Sequence, residues 1–247
     1  MILALMSGAF IGAVLGFVGA GGAMISVPIL LYLFHFSAAQ ATTAALAIVF
    51  IAAFAGVLPK IKSGDVLFRE AFSIWAIGFI SNVGGAALAK HLPDTSILIG
   101  FAGVMIVAGA SMLRGPVKAR PEKRMRPTAL ILISLTIGAM TGIFGIGGGF
   151  LAIPVLVLFY NTPHKKASGT SLLIITLNCL TSFVAHQSQW HTIQWRTPIT
   201  IGLGAIVVST IASHNSSKVN ARVLQKVFAW LLFSLAAFTI IHTLIGT

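Results

Sequence analysis

The chain has 247 residues, of which 57% are hydrophobic and only 8% are charged, and its mean hydropathy is +1.00. This composition lies outside the range of soluble globular proteins and predicts a polytopic membrane protein. The formal charge of +12 would suggest nucleic-acid binding in a soluble domain. Here the basic residues fall in short loops between apolar segments, where they set topology and contact lipid headgroups. The lipid bilayer, and no nucleic acid, is therefore the expected partner.

Eight apolar segments follow one another along the chain, each long enough for a membrane helix at about 1.5 Å rise per residue. They lie near 2–34, 41–58, 71–89, 96–113, 129–159, 167–185, 197–212 and 223–245. Residues 114–127 connect the fourth segment to the fifth and carry six Lys or Arg residues against one acid, Glu122. This basic linker is predicted to be cytoplasmic, and it separates a first membrane repeat, 1–113, from a second, 128–247.

The first and fifth segments contain the same glycine pattern, 126 positions apart. Six residues match by identity at this offset, namely the pairs Gly12/Gly138, Gly16/Gly142, Gly19/Gly145, Gly21/Gly147, Gly22/Gly148 and Pro28/Pro154. The likeness continues into the next segments, where residues 41–44 align with residues 167–170, and Gly78 aligns with Gly202 after a small slip. The chain is therefore predicted to consist of two homologous halves, which is the usual plan of secondary transporters.

The distribution of Lys and Arg distinguishes two arrangements of these halves, because cytoplasmic loops carry an excess of both. If each glycine segment crosses the membrane once, the face of the linker carries ten basic residues and the other face six. If each glycine segment is a re-entrant hairpin, the counts become fourteen and two. The second count predicts three transmembrane helices plus one hairpin per half, hence inverted repeats with both termini outside. Eight crossings with parallel repeats stay open as the alternative, since the charge rule is statistical.

Glycines cluster at the turn of each predicted hairpin. Non-helical backbone is tolerated at membrane depth only where it is buried in protein or lines a water-filled cavity, and glycine adopts positive φ readily. The returning arm would begin with free amides at the positive end of its dipole, so two such ends meeting near the midplane would bind an anion without a buried cation. The substrate-binding residues predicted here are Gly19, Gly21, Gly22, Ala23, Gly145, Gly147, Gly148 and Gly149.

Helix packing is the competing explanation for part of this pattern. The spacing Gly-x-x-x-Gly at Gly12/Gly16 and Gly138/Gly142 is common in packed membrane helices, and packing is the preferred interpretation of these four residues. Packing accounts poorly for three or more helix-breaking glycines in one cluster, so a functional turn is preferred there. A dinucleotide-binding loop is excluded, because Phe150 stands where a third glycine belongs and no βαβ pattern surrounds it.

Two copies of a glycine-rich, proline-terminated membrane segment, each followed by a short stretch such as Ala-Ser-Gly-Thr-Ser at 167–171, resemble the TauE/SafE family of membrane proteins, known as sulfite exporters. The resemblance covers nearly the whole chain, from Gly8 to about Ile241. It implies transport of small anions, such as sulfite or organosulfonates, across the bacterial inner membrane. The first copy has Ala23 where the second has Gly149, so the two halves are expected to have specialised.

Polar side chains inside the apolar segments are further candidates, because polarity is costly there. Hydroxyls follow each hairpin at Thr42, Thr43, Ser168, Thr170 and Ser171. The substrate ligands predicted among the polar residues are Thr43, Thr170, Ser171, Asn82 and Asn178. Each hydroxyl could instead bond to its own helix, and each amide could bond between helices. His186 is interpreted as an interfacial histidine, with proton coupling as the alternative.

Catalysis, metal binding and cofactor binding have no support in the sequence. All four acidic residues, Asp65, Glu70, Asp94 and Glu122, fall in loops or at segment ends, so no carboxylate relay and no catalytic carboxylate pair is expected in the bilayer. The single cysteine, Cys179, allows neither a disulfide framework nor a thiolate metal site. The chain is therefore expected to be neither an enzyme nor a cofactor protein.

These features together predict a secondary transporter, by its resemblance an exporter, of small sulfur-containing anions. The expected place is the bacterial inner membrane, and the sequence leaves a homodimer open. A membrane scaffold or assembly factor, in which the hairpins only pack, is the competing class. An anion channel is the third.

Overall fold

The computed structural model describes residues 1–113, 127–145, 152–153, 156, 162, 164–216 and 221–245. Within these residues the structure is helical and contains no strand. The helices are α1 (Ile2–Val18), α2 (Gly22–Pro28), α3 (Ala38–Lys62), α4 (Phe68–Ala89), α5 (Asp94–Leu113), α6 (Pro127–Phe144), α7 (His164–Ala185), α8 (Arg196–Asn215) and α9 (Ala221–Ile245). A π-helical turn, Ile29–Leu33, continues α2, and a 3₁₀ turn, Gln187–Thr192, precedes α8.

Five helices are long and apolar enough to cross a bilayer, judged by length and composition. These spans are Ala38–Lys62, Phe68–Ala89, Lys165–Ala185, Arg196–Asn215 and Lys226–Thr243, and shorter apolar helices occupy Ile2–Val18, Gly22–Leu33, Asp94–Ala110 and Thr128–Phe144. On α8 the residues Leu203, Val207 and Ile211 form an apolar stripe, each more than half exposed, as suits a lipid-facing surface. The predicted class, an α-helical polytopic membrane protein, is confirmed. The count of eight segments stays a prediction.

The first glycine segment is broken where the sequence predicts a break. Gly19 has φ 75° and its amide donates to the Leu15 carbonyl at 2.8 Å, which ends α1, and Gly21 has φ 83° immediately before α2. A side chain in this left-handed region costs about 1–2 kcal/mol, so glycine suits both positions. Pro28 lacks an amide hydrogen and ends the regular α2 ladder, after which the chain widens into the π-helical turn.

Three helices run in the same direction, namely α1, α3 and α8. Along α1, the successive glycines at positions 8, 12 and 16 meet Ile201, Ala205 and Ser209 of α8 in ascending order. Along α3, the carbonyls of residues 52 and 56 accept hydrogen bonds from the hydroxyls of residues 209 and 213, also in ascending order. Because α1 and α3 are parallel, the short helix between them has to run back.

The end of this returning segment lies beside the start of α1. A cavity of about 400 Å³ is lined by Met1 and Ala4 of α1, by Phe34 after the π-helical turn, and by Arg196 of α8. The first glycine segment therefore enters and leaves at the same end of the helix bundle.

A second set of parallel helices, α4, α6 and α7, runs opposite to the first. Gly78 of α4 packs on Ser134 of α6, and Asn82 packs on Gly142, in ascending order. The start of α7 lies at the end of α3, since a Cβ at Gly169 would contact the Cβ of Lys60 at 3.2 Å. The spaced glycines of α1 and α6 therefore serve close helix packing on α8 and α4, which agrees with the packing interpretation.

Candidate functional site

The first helix break is packed against the second half of the chain. A Cβ added at Gly19 would overlap the hydroxyl of Ser168 on α7, and one added at Gly21 would overlap the ring of Phe228 on α9. Gly22 packs on Leu15 of the preceding helix, and Ala23 is 1% exposed. The break is therefore a buried structure with neighbours from three helices.

The second break begins at Gly145 and packs against the first half of the chain. Gly145 has φ 67°, and its amide donates to the Thr141 carbonyl at 2.9 Å. A Cβ added there would lie 2.6 Å from the methyl group of Thr42 on α3. The predicted site residues Gly147, Gly148 and Gly149 lie outside the described residues.

These contacts are reciprocal at the offset of the sequence repeat. Thr42 and Ser168 are 126 positions apart, as are Gly19 and Gly145, so each break packs on the equivalent residue of the other half. The backbone repeats itself as well. The amide of Phe36 donates to the Leu30 carbonyl at 3.0 Å, and the amide of Thr162 donates to the Leu156 carbonyl at 3.0 Å, again 126 positions later.

Gly19 and Gly145, where the two breaks begin, do not lie together near the middle of the bundle, and a meeting of the two returning arms stays a prediction because Gly147 and Gly148 lie outside the described residues. Gly19 packs on Ser168, near the start of α7. Gly145 follows Thr141 by one turn, and the Thr141 carbonyl accepts a hydrogen bond from Ser182, near the end of α7, at 3.4 Å. Fourteen residues separate Ser168 from Ser182, or about 21 Å of helix. Gly19 and Gly145 therefore lie at opposite ends of α7.

Two of the predicted hydroxyl ligands bond to their own helices. Thr43 donates to the Ala39 carbonyl at 2.9 Å. Thr170 donates to the Lys166 carbonyl at 2.7 Å and accepts the Leu67 amide at 2.9 Å. Ser171 is fully buried. The hydroxyl of Ser168, in contrast, is buried without a hydrogen-bond partner in the described structure.

The two predicted amides lie together between α4 and α7. The side-chain nitrogen of Asn82 donates to the Asn178 carbonyl at 3.1 Å, and both residues are at most 1% exposed. This hydrogen bond joins α4 to α7, as expected if the amides bond between helices rather than to a substrate. Within the described structure, however, Oδ1 of Asn82 and Nδ2 of Asn178 have no partner. A buried donor and a buried acceptor are thus left over about two thirds of the way along α7.

A buried charge cluster, absent from the sequence interpretation, lies at the end of α3. Lys60 is 4% exposed and its Nζ donates to the Ser216 hydroxyl, and Asp65 is 6% exposed and pairs with Nζ of Lys165 at 3.0 Å. Burial by itself raises the pKa of Asp65, but hydrogen bonds from Ser63 and Lys165 and the positive charges of Lys165 and Lys60 outweigh it, so the pKa lies below its ordinary value. A buried cation therefore lies near the first break, and the sequence interpretation does not include it.

His186 is buried just beyond the end of α7, at 4% exposure. Its Nδ1 lies 2.8 Å from the Ser182 carbonyl, and since a carbonyl only accepts, Nδ1 carries the proton of the neutral ring. Burial lowers the pKa of His186, the Ser182 carbonyl opposes this, and the charge of Lys90 lowers the pKa further. Nε2 has no partner in the part of the chain that the structure describes.

The site contains no metal centre as far as the structure describes it. Among the described residues, no three His, Cys, Asp or Glu side chains lie close enough together to hold an ion. Cys179 is fully buried in α7 and not bonded to sulfur. The chemistry available is therefore hydrogen bonding and charge, which suits recognition of a solute.

Broken helices in an apolar bundle, with polar atoms buried inside the bundle, are typical of membrane transporters. The family model described as Sulfite exporter TauE/SafE matches residues 4–239, so the chain belongs to this family. A "Probable membrane transporter protein" of Xylella fastidiosa (strain 9a5c) is 26% identical over 250 residues, covering 97% of this chain and 95% of the relative. The "Probable membrane transporter protein YunE" of Bacillus subtilis is 25% identical, covering 83% of this chain and 84% of the relative. No solved structure matches the chain.

Proposed function

We propose that this membrane transporter is a secondary exporter of small sulfur-containing anions, such as sulfite or organosulfonates, in the bacterial inner membrane. The observation that carries the proposal is that three of the buried polar atoms without partners among the described residues belong to α7 or to the residue after it: Ser168 Oγ, Asn178 Nδ2 and His186 Nε2. Buried polar atoms are nearly always bonded, and leaving them unbonded is costly in a membrane. Three such atoms spaced along the helix between Gly19 and Gly145 are explained by a solute that bonds to them in turn.

Inverted repeats fit the directions of the helices. Gly78 of α4 aligns with Gly202 of α8, yet α4 belongs to the set of helices that runs opposite to α8. The ion pair of Asp65 with Lys165 places the loop after α3 beside the start of α7, and the cavity places Arg196 beside Met1. Three crossings and one re-entrant hairpin in each of 1–113 and 128–247 account for both contacts. Parallel repeats would put Asp65 and Lys165 on opposite faces.

Alternating access follows from this arrangement. Each half supplies one break and the α-helix on which the other half's break packs, so rocking of the halves would loosen one end while tightening the other. Ser168 and Gly19 would handle the anion at the linker face, and Thr42 and Gly145 at the opposite face. Asn82, Asn178 and Ser171 would line the route between them, with Gly147, Gly148 and Gly149 completing the second break.

A membrane scaffold is the second candidate, because residues 18–28 are all buried. A break packed this closely could serve only to fix the fold. The two functions differ in flux. A scaffold carries no solute, whereas an exporter does so when reconstituted alone.

Flux of sulfite through proteoliposomes tests the proposal. Purified protein should give saturable release of sulfite above that of protein-free vesicles, and sulfoacetate, thiosulfate or sulfate should compete if the site recognises their oxyanion groups. The matched control is Gly84→Val, since Gly84 is exposed on α4 with nothing within 4 Å of an added Cβ. Absence of flux for all four anions, from protein that is folded and correctly inserted, would favour the scaffold.

Cysteine labelling tests the inverted repeat. In a Cys179→Ala background, Lys62→Cys and Ser188→Cys place single thiols at two exposed positions, after α3 and after α7. A membrane-impermeant maleimide added to intact cells should label position 188 and spare position 62. Parallel repeats put both positions on the linker face, so equal labelling of the two would exclude the inverted arrangement.

A further inference from the structure

We propose that Lys60, assisted by Lys165, is an anion-binding residue at the first helix break, and that the Asp65 carboxylate occupies the place of the transported anion when none is bound. The inference rests on the proposed function and names the charge that would recognise a small oxyanion. The proposed anion site lies at the end of the helix bundle that faces the basic linker, where an exporter would bind its substrate.

The position of the cluster is the first argument. Gly169 is wedged between Lys60 and Asp65, because an added Cβ would contact the Lys60 side chain and overlap the Asp65 carbonyl. The neighbouring residue, Ser168, carries the unpartnered hydroxyl that meets Gly19. The cationic cluster and the helix break are therefore joined through two consecutive residues of α7.

The charge balance is the second argument. Lys60 and Lys165 supply two positive charges and Asp65 one negative charge, so this cluster has a surplus cation while Lys60 and Asp65 are both buried. A purely structural ion pair needs only one of each sign, and apolar residues often replace such a pair without loss of stability. A surplus buried cation is favourable where a second anion visits the site or displaces the first.

The sequence repeat is the third argument. Position 186 is 126 residues after position 60, so His186 is the equivalent of Lys60, and Lys90 is likewise the equivalent of Ser216. Both residues are buried at the ends of α3 and α7, and each lies near one break. Among the described residues, no carboxylate forms an ion pair with His186. Structural pairing with an acid therefore fails to explain why both halves bury a basic side chain here.

Opposite changes in KM test the inference. Lys60→Gln should raise the KM for sulfite in proteoliposomes by about tenfold or more, the factor expected when one charge-assisted hydrogen bond is lost. Asp65→Asn should lower the KM, since it removes the internal competitor while keeping the shape of the side chain. Lys62→Gln is the matched control, because Lys62 ends the same helix but is exposed, and its KM should stay at the wild-type value.

The outcomes separate three cases. If Lys60→Gln and Asp65→Asn both impair flux and stability in the same direction, the cluster is a structural ion pair and the inference is wrong, while wild-type sulfite flux still supports the proposed function. If wild-type protein carries no anion, the proposed function fails and this inference with it. Should Lys60→Gln not fold, Asp65→Asn alone decides, because an unchanged or raised KM in that variant overturns the inference.

Discussion

Replacing Gly19 by valine is expected to lower sulfite flux about a hundredfold or more. Gly19 has φ 75°, where a side chain costs about 1–2 kcal/mol, and its Cβ would overlap the Ser168 hydroxyl on α7. Relief of that overlap displaces either the hairpin or α7, which adds about 1–3 kcal/mol as in an overpacked core. The two costs together destabilise the arrangement of the break that transports the anion. Since about 1.4 kcal/mol corresponds to a factor of ten in rate, they account for the expected loss of flux. Radiolabelled sulfite efflux from proteoliposomes measures it.

Loss of flux is informative only if the variant still folds. Abundance in the membrane and a single gel-filtration peak in detergent provide that control, and Gly84→Val should match the wild type in both. If Gly19→Val fails to accumulate, Gly21→Ala combined with Phe228→Leu takes its place, because the smaller residue at 228 makes room for the new methyl group. Folded Gly19→Val protein with full flux would mean that the break does not participate in transport.

The local structure of the first break was predictable from sequence, because it depends on chain chemistry alone. A glycine pair spaced as Gly19 and Gly21 marks positive φ, and the structure has it at both residues. Pro28 removes an amide hydrogen, and the helix changes to a π-helical turn immediately after it. The packing role of Gly12 and Gly16 is likewise contained in their four-residue spacing.

The placement of the breaks was not predictable in this way, because it depends on which helices pair across the two halves. The sequence shows that Thr42 follows the first hairpin, but the structure packs it on Gly145 of the second, and Ser168 on Gly19 of the first. This exchange places Gly19 and Gly145 at opposite ends of α7. The spacing of the glycines locates each break along the chain, but it does not show which helix of the other half the break packs on.

The charge cluster escaped the sequence for a related reason. Lys60 stands two residues from the end of α3 and Asp65 in the following loop, positions that are usually solvated. Their burial is produced by α7 and the end of α8, from the other half, through Gly169 and Ser216. His186 stands 126 positions after Lys60, which is the offset of the repeat. This correspondence was the one feature of the sequence that pointed to Lys60.

Replacing Ser168 by alanine is expected to raise the midpoint of thermal unfolding while raising the KM for sulfite about tenfold or more. The Ser168 hydroxyl is buried and has no partner in the described structure, and such a group costs about 1–3 kcal/mol of stability, which alanine recovers. A hydroxyl that donates to an anion contributes a charge-assisted hydrogen bond of about 1.5–3 kcal/mol, so its removal weakens binding by ten- to a hundredfold. Thermal unfolding in detergent and sulfite efflux measure the two effects separately.

The opposite signs of the two effects distinguish transport from scaffolding. Thr176→Val is the matched control on the same helix, since its hydroxyl donates to the Leu172 carbonyl and is not free for a ligand, and we expect its KM to stay at the wild-type value. If the Ser168 hydroxyl had only a structural role, Ser168→Ala would change the stability of the protein but not its KM for sulfite. A more stable Ser168→Ala protein with unaltered sulfite kinetics would therefore show that the anion does not bond to Ser168, and would leave the first break a packing element.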